Sequence, residues 1–128
     1  MPSDKAPPDS PEEWLSRALS NLKLASCNQE DICLEDLCFE AQQAVEKSLK
    51  ALHLKYKIEF RYVHDLEELI TSLEKNGLQI PDEVKEAVIL TNYAVAIRYP
   101  GAEVVTEKDY YQALRLAQAV YEWVQDLV

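Results

Sequence analysis

Glycine occurs only twice in the 128 residues, at Gly77 and Gly101, and no other feature restricts the fold as much. Sheet-rich proteins need many glycine-containing turns, so a β-rich fold is disfavoured. Phosphate loops of the Gly-x-Gly-x-x-Gly or Gly-x-x-x-x-Gly-Lys-Ser/Thr kind are absent for the same reason. Helix is what remains. A chain of this length makes one domain with one core, not two.

The apolar spacing agrees. Ser10, Pro11 and Glu13 read as the N-cap, first position and capping box of a helix. Its apolar face is Trp14, Ala18, Leu22 and Ala25, and it fades near Asn28. A long helix is expected from about Glu30 to His53, with Leu34, Leu37, Cys38, Ala41, Val45, Leu49 and Leu52 on its stripe. Gln43, Glu46, Lys47 and Lys50 fall on its other side. Residues 54–63 read as a connector. A third helix opens at His64 or Asp65, carries Leu66, Leu69, Ile70 and Leu73, and stops at Asn76-Gly77. Pro81 opens a fourth, ended by Pro100-Gly101, whose two apolar faces suit a central or interfacial helix. Thr106 and Asp109 cap a last helix carrying Tyr110, Ala113, Leu114, Ala117, Val120, Tyr121 and Val124. The expected fold is an all-α, mostly antiparallel bundle of about five helices. Residues 10–128 form its single domain, after a disordered tail over residues 1–9.

Charge narrows the function. The net charge of −10 repels a polyanion, so any phosphate must be recognised locally. Residues 46–64 are the one basic stretch: Lys47, Lys50, Lys55, Lys57 and Arg61 face only Glu46 and Glu59. This stretch is either a positive rim for a nucleotide or acidic partner, or a solvated face. Tyr56, Phe60 and Tyr62 interleave with it, as base-stacking groups or as anchors to the core. Cys27, Cys33 and Cys38 lack metal-ligand spacing, and no metal or other cofactor is expected. Without an apolar leader or a membrane-length apolar run, the expected setting is the cytoplasm, with reduced thiols and no membrane partner.

Three short patterns stand in order on these helices. Gln43-Ala-Val-Glu46-Lys47-Ser-Leu-Lys50-Ala51 lies on the second, His64-Asp65-Leu66 opens the third, and Tyr93 followed by Arg98-Tyr99-Pro100 closes the fourth. Their order and spacing resemble the HEPN domain, over roughly Trp14 to Val124. The resemblance implies a helical bundle, commonly a homodimer, linked to nucleotides or RNA. It implies a nucleotidyltransferase-domain partner, sometimes in a toxin–antitoxin pair. In ribonuclease members an Arg is followed, after four to six residues, by a His; the two meet across the dimer and cut RNA without metal.

Here the sequence departs from the family pattern. No His follows Arg98, and both histidines, His53 and His64, precede it. The expected function is therefore a non-catalytic binding module for a nucleotide or phosphate ligand, a nucleotidyltransferase partner, or both. The alternatives are a metal-independent ribonuclease using Arg98 with a displaced His such as His64, and a ligand-free interaction scaffold. The candidate ligand residues are Arg98, Tyr99, Lys47, Lys50 and His64; Gln43, Glu46, Asp65 and Pro100 complete the motif. A guanidinium offers a planar fork of donors to phosphate and stays charged. Set against that, Arg98 serves equally as a helix-end cation or a carboxylate's partner. His64 is either a phosphate-binding imidazole or a start signal for its helix. Glu46 either pairs with Lys50 along the helix or holds Arg98 inside the bundle.

Overall fold

The computed structural model describes residues 9–61, 64–94 and 104–128. They form α1 (Pro11–Ala25), α2 (Leu34–Lys55), α3 (Leu66–Lys75), α4 (Asp82–Glu86), a 3-10 segment (Ala87–Tyr93) and α5 (Glu107–Leu127). The expected disordered tail falls almost wholly outside the described residues, as do the last residues of the expected fourth helix and its stop at Pro100-Gly101.

The ends of the helices follow their cap chemistry. Ser10 Oγ accepts from the Glu13 amide at 3.1 Å, and Pro11 stands in the first turn. Thr106 and Asp109 form the reciprocal box expected of them. Asp65 caps α3, its Oδ1 accepting from the Glu67 amide at 3.0 Å. Pro81 is the residue before α4 rather than its first. The start of α2 is Leu34, not Glu30, because Asp31 takes a left-handed φ of 71° that no helix tolerates.

Helices α2 and α3 end in the same motif. After α2 the amides of Lys57 and Ile58 reach back to the carbonyls of Leu54 and His53 at 3.2 and 2.8 Å. After α3 those of Gly77 and Leu78 reach Glu74 and Leu73 at 3.0 and 3.2 Å. Both are Schellman turns, which need a left-handed residue. Gly77 supplies it at φ 95°, but Lys57 supplies the other at φ 57° with a side chain attached. That turn ends α2 and starts the connector toward α3.

Helix α2 is the centre of the bundle. It packs on α1, α3, α5 and the 3-10 segment. All of its predicted stripe except half-buried Leu34 is buried. So are Gln42, Ala44, Glu46, Ser48, Lys50, Ala51 and His53, which covers nearly the whole circumference. Each Leu or Val removed from water here contributes about 1.5–3 kcal/mol. The fourth helix, expected to be central or interfacial, is over its described residues a short α-helix that tightens to 3-10. Val88, Ile89 and Thr91 are β-branched and lose side-chain freedom in an α-helix. Val84, Ala87 and Leu90 of this run are buried in the core, Val88 and Tyr93 pack against it half-buried, and Ile89 is exposed.

The pairing of α1 with α2 is antiparallel: Asn21 meets Glu40, while Trp14, nearer the start of α1, meets Lys50 farther along α2. The α1 stripe is Leu15, Ala18, Leu22 and Ala25, with Trp14 half-buried at its edge. Helix α5 begins where α1 ends: the Tyr110 hydroxyl donates to the Ala25 carbonyl at 2.6 Å. In α5 Leu116 is buried and Leu114 only half-buried; the other expected core positions are buried.

Candidate functional site

A polar stripe runs along α2 beside its apolar one. Gln42, Glu46, Lys50 and His53 recur at helical spacing and are all buried. Residues from the connector cover it. The His53 ring meets Phe60 edge-on at 5.2 Å between centroids. The Lys50 ammonium lies 5.7 Å from the Trp14 ring and 5.9 Å from that of Phe60, close enough for cation–π attraction from both.

Glu46 is the hub. Its Oε2 accepts from Lys50 Nζ at 2.8 Å. Its Oε1 accepts from Gln42 Nε2 at 3.0 Å and from His64 Nδ1 at 2.9 Å. Burial alone would raise the carboxyl's pKa, but the hydrogen bonds from Lys50, His64 and Gln42 outweigh it and hold it below the ordinary range. Glu46 is therefore ionised at neutral pH and can only accept. It follows that His64 donates from Nδ1, and that the neutral ring carries its lone pair on Nε2.

His64 is fixed from several sides. Its carbonyl lies 3.5 Å from Gln42 Nε2. Asp65 caps the helix that follows, and the Leu66 amide donates to Thr91 Oγ1 of the 3-10 segment at 3.1 Å. Yet the His64 side chain is 67% exposed, against 5% for that of Glu46. A buried, ionised carboxylate thus orients a surface imidazole.

The other expected site residues are placed as follows. Lys50 is not on the surface: Glu46 matches its charge and two rings flank it. Lys47 is half-buried and donates to Asn21 Oδ1 at 2.8 Å, while Asn21 donates to Glu40 at 2.6 Å. Burial first, and the Arg17 charge second, pull the Lys47 ammonium below its ordinary pKa. Gln43 donates to Gln42 Oε1 at 2.7 Å. Arg61 pairs with Glu68 at 2.8 Å in solvent. Arg98, Tyr99 and Pro100 lie outside the described residues, so the alternative of Glu46 holding Arg98 does too.

Two residues of the stripe, Gln42 and His53, were not anticipated; the only signal for them was polar residues at helical spacing on α2. His53 Nδ1 lies 2.8 Å from the Leu49 carbonyl, which can only accept, so it donates there. Its Nε2 is buried with no hydrogen bond among the described residues. Burial, above all, keeps this ring neutral, and the Lys50 charge adds to that. Among the described residues no cluster of three or more His, Cys, Asp or Glu is arranged to hold a metal ion, and no helix is long and apolar enough to cross a membrane.

The sequence matches the HEPN domain family over residues 11–127. The chain belongs to that family. Two solved structures carry the same fold. The HEPN chain is 30% identical to TT1696 from Thermus thermophilus, with a TM-score of 0.76 over 94% of this chain and 99% of that one. It is 24% identical to ST0689, an archaeal HEPN homologue, with a TM-score of 0.74 over 92% of this chain and 97% of that one. A comparison with curated proteins returned no match. In this HEPN domain the Glu46 hub joins two of the three motif patterns, Gln43 to Ala51 and His64 to Leu66.

Proposed function

We propose that this HEPN domain is a non-catalytic binding module that recognises the phosphate of a nucleotide or of RNA through His64 and Arg98. The observation that carries the reading is the His64 imidazole, anchored by buried Glu46 and open to solvent on its other edge. When protonated, that edge donates to an anion. Arg98 with Tyr99 adds a guanidinium and a ring in the motif that follows, and Lys47 adds a half-buried ammonium on α2. Lys50 acts through Glu46, which it holds in place. A local site of this kind suits a protein whose overall charge of −10 repels polyanions.

The module works as a homodimer in this reading, beside a nucleotidyltransferase-domain partner in a toxin–antitoxin-like pair. Its compartment is the cytoplasm, which keeps thiols such as Cys27, Cys33 and Cys38 reduced. The lack of a His at the four-to-six-residue spacing after Arg98 supports the non-catalytic reading. The ribonuclease reading has one observation in its favour: a carboxylate-anchored imidazole is also an acid–base pair.

Thermal unfolding with ATP, GTP, NAD and short RNA tests the proposal. A ligand at 100 times its Kd adds about 2.7 kcal/mol, a rise of several degrees for a domain of this size. The rise is expected with at least one ligand and is lost in Arg98→Ala and in His64→Ala. No rise with any ligand removes phosphate recognition. Cleavage of labelled RNA that depends on Arg98 and His64 replaces this reading with the nuclease one.

A further inference from the structure

We propose that His64 is also a phosphoacceptor, its Nε2 taking a phosphoryl group from a small activated donor such as an acyl phosphate or a phosphoramidate. In its choice of phosphorus as the electrophile the proposal rests on the phosphate-recognition reading; the geometry stands without it.

A nucleophilic imidazole needs a lone pair on an accessible nitrogen and a partner for the charge that forms on the ring. His64 meets both conditions. Its proton is held on Nδ1 by Glu46 at 2.9 Å, which leaves the lone pair on Nε2. The side chain is 67% exposed, so a donor reaches that nitrogen. The carboxylate is held against rotation, since Lys50 takes its Oε2 and Gln42 shares its Oε1.

In the transfer the Nε2 lone pair forms the N–P bond. The bond from phosphorus to the leaving group breaks and its electron pair departs with that group, which is ammonia for phosphoramidate and a carboxylate for an acyl phosphate. The ring keeps its Nδ1 proton, and the positive charge it gains lies against the Glu46 carboxylate. No oxidant, reductant or metal enters the balance.

His53 is a control within the same chain. Its Nδ1 is likewise engaged, with Leu49, but its Nε2 is buried. Accessibility, not residue type, then selects the site.

The test is incubation of the full chain with potassium phosphoramidate near neutral pH, followed by intact mass and 31P NMR. The expected product is a single acid-labile phosphoryl group per chain, formed faster than on N-acetylhistidine amide and absent in His64→Gln. In Glu46→Gln the rate falls roughly tenfold, as when the partner that orients a histidine is removed. If Glu46→Gln fails to fold, the comparison of the wild-type chain with N-acetylhistidine amide decides alone. A wild-type rate no greater than that of the model compound, modification at His53, or an undiminished rate in folded Glu46→Gln overturns the proposal. A chain whose unfolding midpoint rises with nucleotide but which takes no phosphoryl group loses the phosphoacceptor and keeps phosphate recognition. A chain that is phosphorylated yet shows no ligand-induced rise does the reverse.

Discussion

His64 Nδ1 donates to the Glu46 carboxylate at 2.9 Å, and the two side chains stand at opposite extremes of exposure. The acid is inside the bundle and the base is outside it. Through this bond the end of the connector is tied to the central helix, and the motif on α2 meets the motif that opens α3. Lys50 completes the arrangement from the same helix, one turn on, so the buried carboxylate has a counter-charge even when His64 is neutral.

Removing the hub takes the buried carboxylate away from that counter-charge. Glu46→Ala is expected to destabilise the fold by about 3–5 kcal/mol, the usual cost of breaking a buried pair from one side. Urea unfolding measures it. Adding Lys50→Met in the same chain recovers part of the loss, since the buried charge that Glu46 balanced is then gone. A cost for Glu46→Ala below about 1 kcal/mol, the range of exposed pairs, contradicts the burial of this pair.

Acid acts on the fold in two stages. His53 has its pKa lowered in the folded state, by burial before any other cause. Below its ordinary value near 6.5 the unfolded chain takes up a proton that the folded chain refuses, so stability falls as the pH drops from there toward the folded value. Glu46 is also lowered, its hydrogen bonds to Lys50, His64 and Gln42 outweighing burial. Its contribution is whole above the ordinary carboxylate range and is lost as the pH falls through the folded value. Urea unfolding between pH 7.5 and 5.5 therefore shows a decline that His53→Phe abolishes. A decline of the same size in His53→Phe assigns it to another group.

The turn after α2 carries avoidable strain. Lys57 holds φ 57°, where a side chain crowds its own backbone. Lys57→Gly is expected to stabilise by about 0.5–1 kcal/mol, the relief of that crowding less the added freedom of glycine in the unfolded chain. Gly77→Ala, at φ 95° after α3, should destabilise by at least as much, although there is open space for the added Cβ. Thermal unfolding of the two variants side by side checks the pair. Equal and negligible shifts would mean that neither turn needs its left-handed residue.

Much of this was legible in the sequence, and the losses have physical causes. Caps at Ser10, Asp65 and Thr106 stand where short polar side chains precede apolar periodicity. Residues Leu37 to Leu52 of the α2 stripe follow from spacing alone, because a 3.6-residue period needs no tertiary information. The polar side of α2 did not follow. Gln43, Glu46, Lys47 and Lys50 read as a polar face, yet Glu46 and Lys50 are buried. What covers them comes from elsewhere, Trp14 on α1 and Phe60 and His64 in the connector, and periodicity within one helix carries no trace of it. No glycine marks the Lys57 turn from which that connector starts. The break in the fourth helix was visible in principle, in the β-branched Val88, Ile89 and Thr91, but its apolar spacing outweighed them. Of the candidate ligand residues, His64 is the one whose surroundings the structure describes and leaves open to solvent.

That imidazole gives the most direct test of the account. Its ring nitrogens and protons can be followed by NMR in a histidine-labelled chain, with His53 as the buried reference. Titration with inorganic phosphate, GMP and a short RNA is predicted to move the His64 ring resonances saturably, to leave those of His53 in place, and to lose its effect in Arg98→Ala. If the His64 signals stay fixed through every titration, or move no less in Arg98→Ala, His64 and Arg98 do not form a phosphate-recognition site.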